Sequence, residues 1–249
     1  MTPSPRHALP PSSCLLPFAL GLIGCVTQAP VEAATSASTS VPAAAPVAPA
    51  RMVAPAACSF GAFVQEDDPA GLNVRASPGL AGKIVGTLAP TFKSPGNERF
   101  HIRVEVDVSG GAGDWIHIAN AHDNTTLTER EARPMFAGDG WVAGRKITVK
   151  SQATHGHAAP GVDSPAVMSL KSGDTFDGDE MVDAGHVIGC QGRWAQVEYV
   201  ESALSTQARA DLVVAPAARA GLPAGRFRAW VNQLCGVQET TCGASDDSK

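Results

Sequence analysis

His155 and His157 stand two apart in the sequence, so an extended backbone turns both imidazoles to one side. With His186 or Asp163 they could begin a divalent-metal site. Their flanks are rich in glycine and proline (Gly156, Pro160, Gly161), and the spacing to a third ligand matches no zinc pattern, so an exposed loop is expected and no metal site is assigned. Asp174, Asp177, Asp179 and Glu180 concentrate carboxylates but lack the glutamate that closes a calcium loop at its twelfth position. They read as an acidic turn. Nucleophilic catalysis would need a thiol or hydroxyl beside a base. No cysteine opens a convincing helix, and Cys58 stands at the head of a strand-rich region. No catalytic residue or cofactor is assigned, and the chain is expected to be non-enzymatic.

The remaining residues suited to recognition are the four tryptophans, Trp115, Trp141, Trp194 and Trp230. Aromatic faces bring large contact area at low entropic cost, but in small β folds they also plug cores. Two of the four are expected inside, with Trp141 the more exposed. If the first half of the chain holds a ligand groove, Asn73, Arg75, Trp115 and Trp141 are its candidates. Arg75 would grip a peptide carboxylate or pair with Asp114 or Asp139.

Those residues sit on short apolar stretches separated by glycine and proline, the pattern of a small all-β fold. Leu72 and Val74, then Ile84-Val85, mark two strands, and Phe100, Ile102, Val104, Val106 and Val108 alternate along a third. Segments Asp114–Ile118 and Trp141-Val142 follow. The pattern occurs twice: Leu72-Asn73-Val74-Arg75 is matched with Ile147-Thr148-Val149-Lys150, Gly86-Thr87-Leu88 with Met168-Ser169-Leu170, and each tryptophan segment with a later one. Each copy carries an insertion between its tryptophan strands. In the first, Thr126–Glu129 suits a short helical turn. In the second, Pro216 and Pro223 favour disorder across most of residues 200–228.

Before these copies the composition changes. Residues 15–23 form an apolar run too short to span a bilayer as a helix and read as an export signal. Residues 25–57 are nearly all Ala, Pro, Val, Ser and Thr, a semi-extended spacer. Cys58, Cys190, Cys235 and Cys242 make an even set in an exported chain, which suggests disulfides with three possible connectivities. The formal charge is −5 with no basic cluster, which argues against a nucleic-acid partner.

Two resemblances sharpen this reading. Leu22-Ile23-Gly24-Cys25 resembles the lipobox of bacterial lipoproteins, which implies a signal peptide over residues 1–24, lipid on Cys25, and a membrane anchor. Val26 after that cysteine, by similarity to Gram-negative sorting, implies the periplasmic face of the outer membrane. Gly71–Pro78 (GLNVRASP), Ile84–Leu88 (IVGTL) and Gly140-Trp141-Val142 resemble the bacterial SH3-like (SH3b) family. That similarity implies two tandem small SH3-like barrels, at 58–147 and, in degenerate form, 148–242, with a disordered tail over 243–249. It further implies binding of peptidoglycan peptide or of an envelope protein. The alternative is a regulator or assembly partner of an envelope enzyme or secretion system.

Overall fold

The computed structural model describes residues 55–94 and 97–238. The expected signal peptide, Cys25, spacer residues 25–54, Cys242 and the tail 243–249 lie outside the described residues. The fold is all-β, with two large antiparallel sheets and one small one. Its helices are four to six residues long, and none among the described residues is long and apolar enough to cross a membrane.

The first half supplies strands β1 (Ala56–Val64), β2 (Leu72–Arg75), β3 (Ile84–Leu88), β4 (Phe92–Ser94), β5 (Asn97–Ile102), β6 (Glu105–Ala112), β7 (Trp115–His122), β8 (Gly140–Ala143) and β9 (Ile147–Thr148). Seven of these form a sheet in the order β3-β2-β8-β7-β6-β1-β9, while β4 and β5 make a separate hairpin. The spacer expected to run to residue 57 therefore ends sooner, because Ala56 and Ala57 already pair with Gly111 and Gly110. The long alternating segment is divided: Arg103 and Val104 separate β5 from β6. Ile102, Val104, Val106 and Val108 are all buried, as their spacing predicted.

The second half supplies β10 (His155–His157), β11 (Ala166–Leu170), β12 (Gly185–Gln191), β13 (Trp194–Val200), β14 (Leu212–Val214) and β15 (Arg226–Val231), ordered β12-β13-β15-β10-β11-β14. The run β3-β2-β8-β7-β6 of the first sheet and the run β11-β10-β15-β13-β12 of the second have the same chain connectivity. The place of Leu72–Arg75 is thus taken by His155–His157. The sequence match to Ile147–Lys150 is out of register, since Ile147 and Thr148 pair with Val64 and Phe63 on β1. The two turns that follow β2 and β10 agree in detail. Ala76 N–H donates to the Lys83 carbonyl and Ala158 N–H to the Pro165 carbonyl, each at 2.9 Å. Gly82 to Gly79 and Ser164 to Gly161 repeat a second bond at 3.1 Å.

The second insertion is ordered, against expectation. Helix α3 (Thr206–Asp211) is capped by the Ser205 hydroxyl, β14 pairs with β11, and Pro216 opens the single turn Pro216–Arg219. Proline there fixes φ where an N–H would lack a partner anyway, so it starts a helix rather than breaking the segment. In the first insertion, Asn124 caps the turn Thr125–Thr128 by accepting from Leu127 N–H. Buried Asp123 holds the far end through Arg133, with Nε and Nη2 donating at 2.8 and 2.6 Å.

The two sheets meet at β12. Cys190 is disulfide-bonded to Cys58 on β1 across 132 residues of sequence, and Gly192 exchanges backbone bonds with Ala57 and Ser59 at 2.8 Å. Val187 and Cys190 join Val108, Ile116 and Val142 in one buried apolar cluster. Glycine makes this approach possible: a Cβ on Gly144 would stand 2.1 Å from the Val187 carbonyl oxygen, and one on Gly111 would stand 2.8 Å from Cys190 Sγ. Cys235 is buried and also disulfide-bonded.

Two outcomes follow from these contacts. Gly144→Ala, which forces backbone apart in a packed seam, should cost roughly 1–3 kcal/mol of stability by urea unfolding; an unchanged midpoint would mean that β12 yields freely. The Arg133 hydrogen bonds, against the cost of burial, hold the Asp123 carboxyl below the usual carboxylate range. A carboxylate favoured in the folded state contributes fully above its unfolded pKa, and that contribution is lost as pH falls through the lower folded value. The stability gap between the native protein and Asp123→Asn should therefore be constant near neutrality and shrink below about pH 4, measured by urea unfolding across a pH series.

Candidate functional site

Pairing across the first sheet puts the sequence-derived candidates on one face. Arg75 on β2 pairs directly with Trp141 on β8, and Trp141 pairs with His117 on β7. Directly paired residues point to the same side of a sheet. Asn73 and Trp115, two positions along their strands from Arg75 and His117, share that side. The alternate residues Leu72, Val74, Ile116, Ile118 and Val142 are buried on the other. The outward row is thus His117, Trp141, Arg75 and, beyond Arg75, exposed Ile84.

The tryptophans depart from expectation. None of the four is fully buried; all are half-buried on outward sheet faces. Valine, isoleucine and phenylalanine fill the core instead, with Phe63, Phe176 and Phe227 its largest fully buried side chains. Each outward face in β7, β8, β13 and β15 alternates with a small or branched residue that fits between packed layers, so the indole is left at the surface.

Arg75 pairs with neither Asp114 nor Asp139. Its Nη1 donates to the carbonyls of Leu80 and Gly82, at 2.9 and 2.7 Å, and so fixes the Ser77–Gly82 turn beside Trp141. That turn lifts Leu80 into solvent, 74% exposed. Leu80, Ile84 and Val85 are three exposed apolar side chains at the edge of the tryptophan row.

His117 was not singled out by sequence. Its ring lies edge-on to Trp141 with centroids 4.9 Å apart. Nε2 faces Asp139 Oδ2 at 3.2 Å, and Nδ1 lies 2.8 Å from Ser109 Oγ. With the proton on Nε2, Nδ1 accepts from the Ser109 hydroxyl. Serine, imidazole and carboxylate in line have the order of a nucleophile, base and orienting group. Asp107, two residues from Ser109, is an exposed carboxylate that accepts from the Asn120 amide at 2.7 Å. The chain of bonds orients the imidazole against Trp141. The signal available in sequence was His117 itself, two residues beyond Trp115 on a strand of alternating period.

The second sheet carries the corresponding row. Trp230 on β15 pairs with Gln196 on β13 and with His157 on β10. The His157 ring meets Trp194 edge-on at 5.4 Å, and its Nδ1 lies 2.7 Å from the Ser164 carbonyl. His157 therefore takes the position of Arg75 and fixes its turn in the same manner. His155 is exposed on the same strand, and Asp163 lies in the exposed turn. Among the described residues, no three histidine, cysteine, aspartate or glutamate side chains gather as metal ligands. Asp174 and Asp177 lie in a loop that leads into helix α2 (Asp179–Ala184), whose first turn holds Asp179 and Glu180, where carboxylates oppose the helix dipole favourably.

Near the edge of the first sheet, burial pushes the His122 imidazole down. Its bond to the Asn120 carbonyl and the buried Glu105 carboxylate outweigh that effect and hold its pKa above the ordinary histidine value. His122 is separate from the tryptophan row.

Comparison with protein families, with characterised proteins and with solved structures finds no match to this chain. Because Arg75 supports the turn beneath the row, Arg75→Met should lower stability by about 1–2 kcal/mol through loss of two charge-assisted bonds to carbonyls. Thermal unfolding checks this, and an unaltered transition would leave Arg75 free for a ligand.

Proposed function

We propose that the chain is a non-enzymatic cell-envelope lipoprotein whose two SH3-like copies bind peptidoglycan peptide. One observation carries the reading: the outward row His117–Trp141–Arg75, with Trp115 and Asn73 on the same face. Outward-facing indoles, hydrogen-bonding side chains and an apolar rim suit a short peptide laid across strands, where the indoles supply contact area and the rim excludes water. The repeated strand order supports two copies of one small β module, and the lipobox-like segment supports a tether between membrane and module. Under this reading each module binds weakly, and the tether raises effective concentration at the wall.

Co-sedimentation of the full-length protein, in detergent, with purified sacculi tests this. Saturable pelleting is expected, weakened roughly 10- to 30-fold by Trp141→Ala, the range for removal of an aromatic anchor. Trp141 is half-buried on an outward face, so the variant should fold, which circular dichroism checks. Absence of pelleting at micromolar protein would overturn the wall reading and direct attention to an envelope protein as partner.

A further inference from the structure

A pocket of about 250 Å³ lies where the two sheets meet, lined by Asp114, Arg145, Ile188, Glu198 and Arg228. It is distinct from the Trp141 row and goes beyond the wall reading. Its walls come from both halves: Asp114 and Arg145 flank β7 and β8, whereas Ile188, Glu198 and Arg228 belong to β12, β13 and β15. The pocket exists because Gly144, next to Arg145, allows β12 to approach so closely. Gly144 N–H donates to the Asp114 backbone carbonyl at 2.7 Å, which fixes the two first-half residues relative to each other.

Four ionised side chains, two of each sign, line this small space, yet they pair with one another only in part. Glu198 Oε1 is taken by Arg226 at 2.6 Å, leaving Arg228 only a 3.8 Å contact to Oε2. Arg228 Nε is buried without a hydrogen-bond partner. Among the described residues, neither the Asp114 carboxylate nor the Arg145 guanidinium has a side-chain partner, and both residues are exposed. Charged groups held close in a partly enclosed site are favourable when a ligand supplies the opposite charges. The missing partners are one carboxylate, for Arg145 and Arg228, and one ammonium, for Asp114.

We propose that this pocket binds a zwitterionic amino-acid centre, an ammonium and a carboxylate on one carbon, either as a free amino acid or as the side-chain end of a diamino diacid residue within a peptide. The test is nuclear magnetic resonance titration of the full-length protein with meso-diaminopimelate, which carries such centres. Pimelate, lacking the ammonium groups, and cadaverine, lacking the carboxylates, serve as controls. A tripeptide whose diaminopimelate residue keeps its side-chain centre free separates the two sources: tighter binding of the tripeptide marks a peptide-borne centre, tighter binding of the free acid marks a small molecule, and both support the site. Saturable shifts are expected with meso-diaminopimelate, at least about tenfold weaker with either control, and weakened similarly by Arg145→Gln and by Asp114→Asn. Both substitutions are at exposed positions and preserve the backbone bond. No saturation at millimolar ligand, or equal affinity for pimelate, or no loss in both variants, would overturn the proposal. Sacculus pelleting tests the wall reading separately: if pelleting fails while the zwitterion binds, only that reading falls, and the reverse result removes only the pocket.

Discussion

The seam between β12 and the first sheet is the constraint on which the rest of this structure depends. A β-sheet face normally keeps another backbone at a distance set by its side chains, about 10 Å from sheet to sheet. Here Gly111 and Gly144 remove those side chains where Cys190 and Val187 arrive. Backbone bonds between Gly192 and β1 then continue the contact, and the Cys58–Cys190 link closes it. One buried cluster spans both sheets as a result. The same approach leaves unfilled space beside Gly144, where ionised side chains from both halves face one another without full pairing.

Polar contacts extend the seam away from the disulfide. Arg103, almost fully buried, pairs with Asp183 at the end of α2, and His101 faces the same carboxylate. Thr148 donates its hydroxyl to the Val182 carbonyl at 2.6 Å, and the Gln65 amide donates to the Asp183 carbonyl at 3.0 Å. The Gln65 bond satisfies a carbonyl at the end of a six-residue helix, and the Thr148 bond adds to the one the Val182 carbonyl accepts from Gly185 N–H. The helix is too short to be stable alone, so its position follows from what it docks against. An unpaired Arg103 would be costly at this depth, which makes the seam specific as well as apolar.

Much of the fold was legible because strand alternation is a direct consequence of pleating. Ile102, Val104, Val106 and Val108 are buried where period two placed them, and all four sequence-derived site residues share one face. Three features were not legible, for physical reasons. Tryptophans often plug small β cores, but here all four lie on the outward faces of their strands and stay half-buried. The ordered second insertion turned on Pro216, whose effect depends on whether it falls inside a helix or at its first position. His117 acquires its partners Asp139 and Ser109 only through strand pairing, and no local spacing announces that.

The mismatch between sequence match and strand order shows why side-chain identity was the weaker guide to the second half. Matching apolar pattern drew Ile147–Lys150 onto Leu72–Arg75, yet the turns Ala76–Lys83 and Ala158–Pro165 share Ala, Pro-Gly and an exposed branched residue in order. What is preserved is the satisfaction of backbone groups. Arg75 serves two turn carbonyls, whereas His157 serves one, that of Ser164. Ser164 contributes a further bond, its hydroxyl accepting from Ala159 N–H at 2.9 Å, so the shorter side chain comes with a compensating polar residue in the turn. Arginine and histidine are unlike in charge and reach, but either can anchor this turn against the neighbouring tryptophan strand. A fold held by such bonds tolerates exchange at the anchoring position, provided that the turn's glycine and the facing strand order remain. The side chain that anchors the turn therefore differs between the two outward faces, a guanidinium paired with Trp141 and an imidazole paired with Trp230, although the backbone beneath them is built alike.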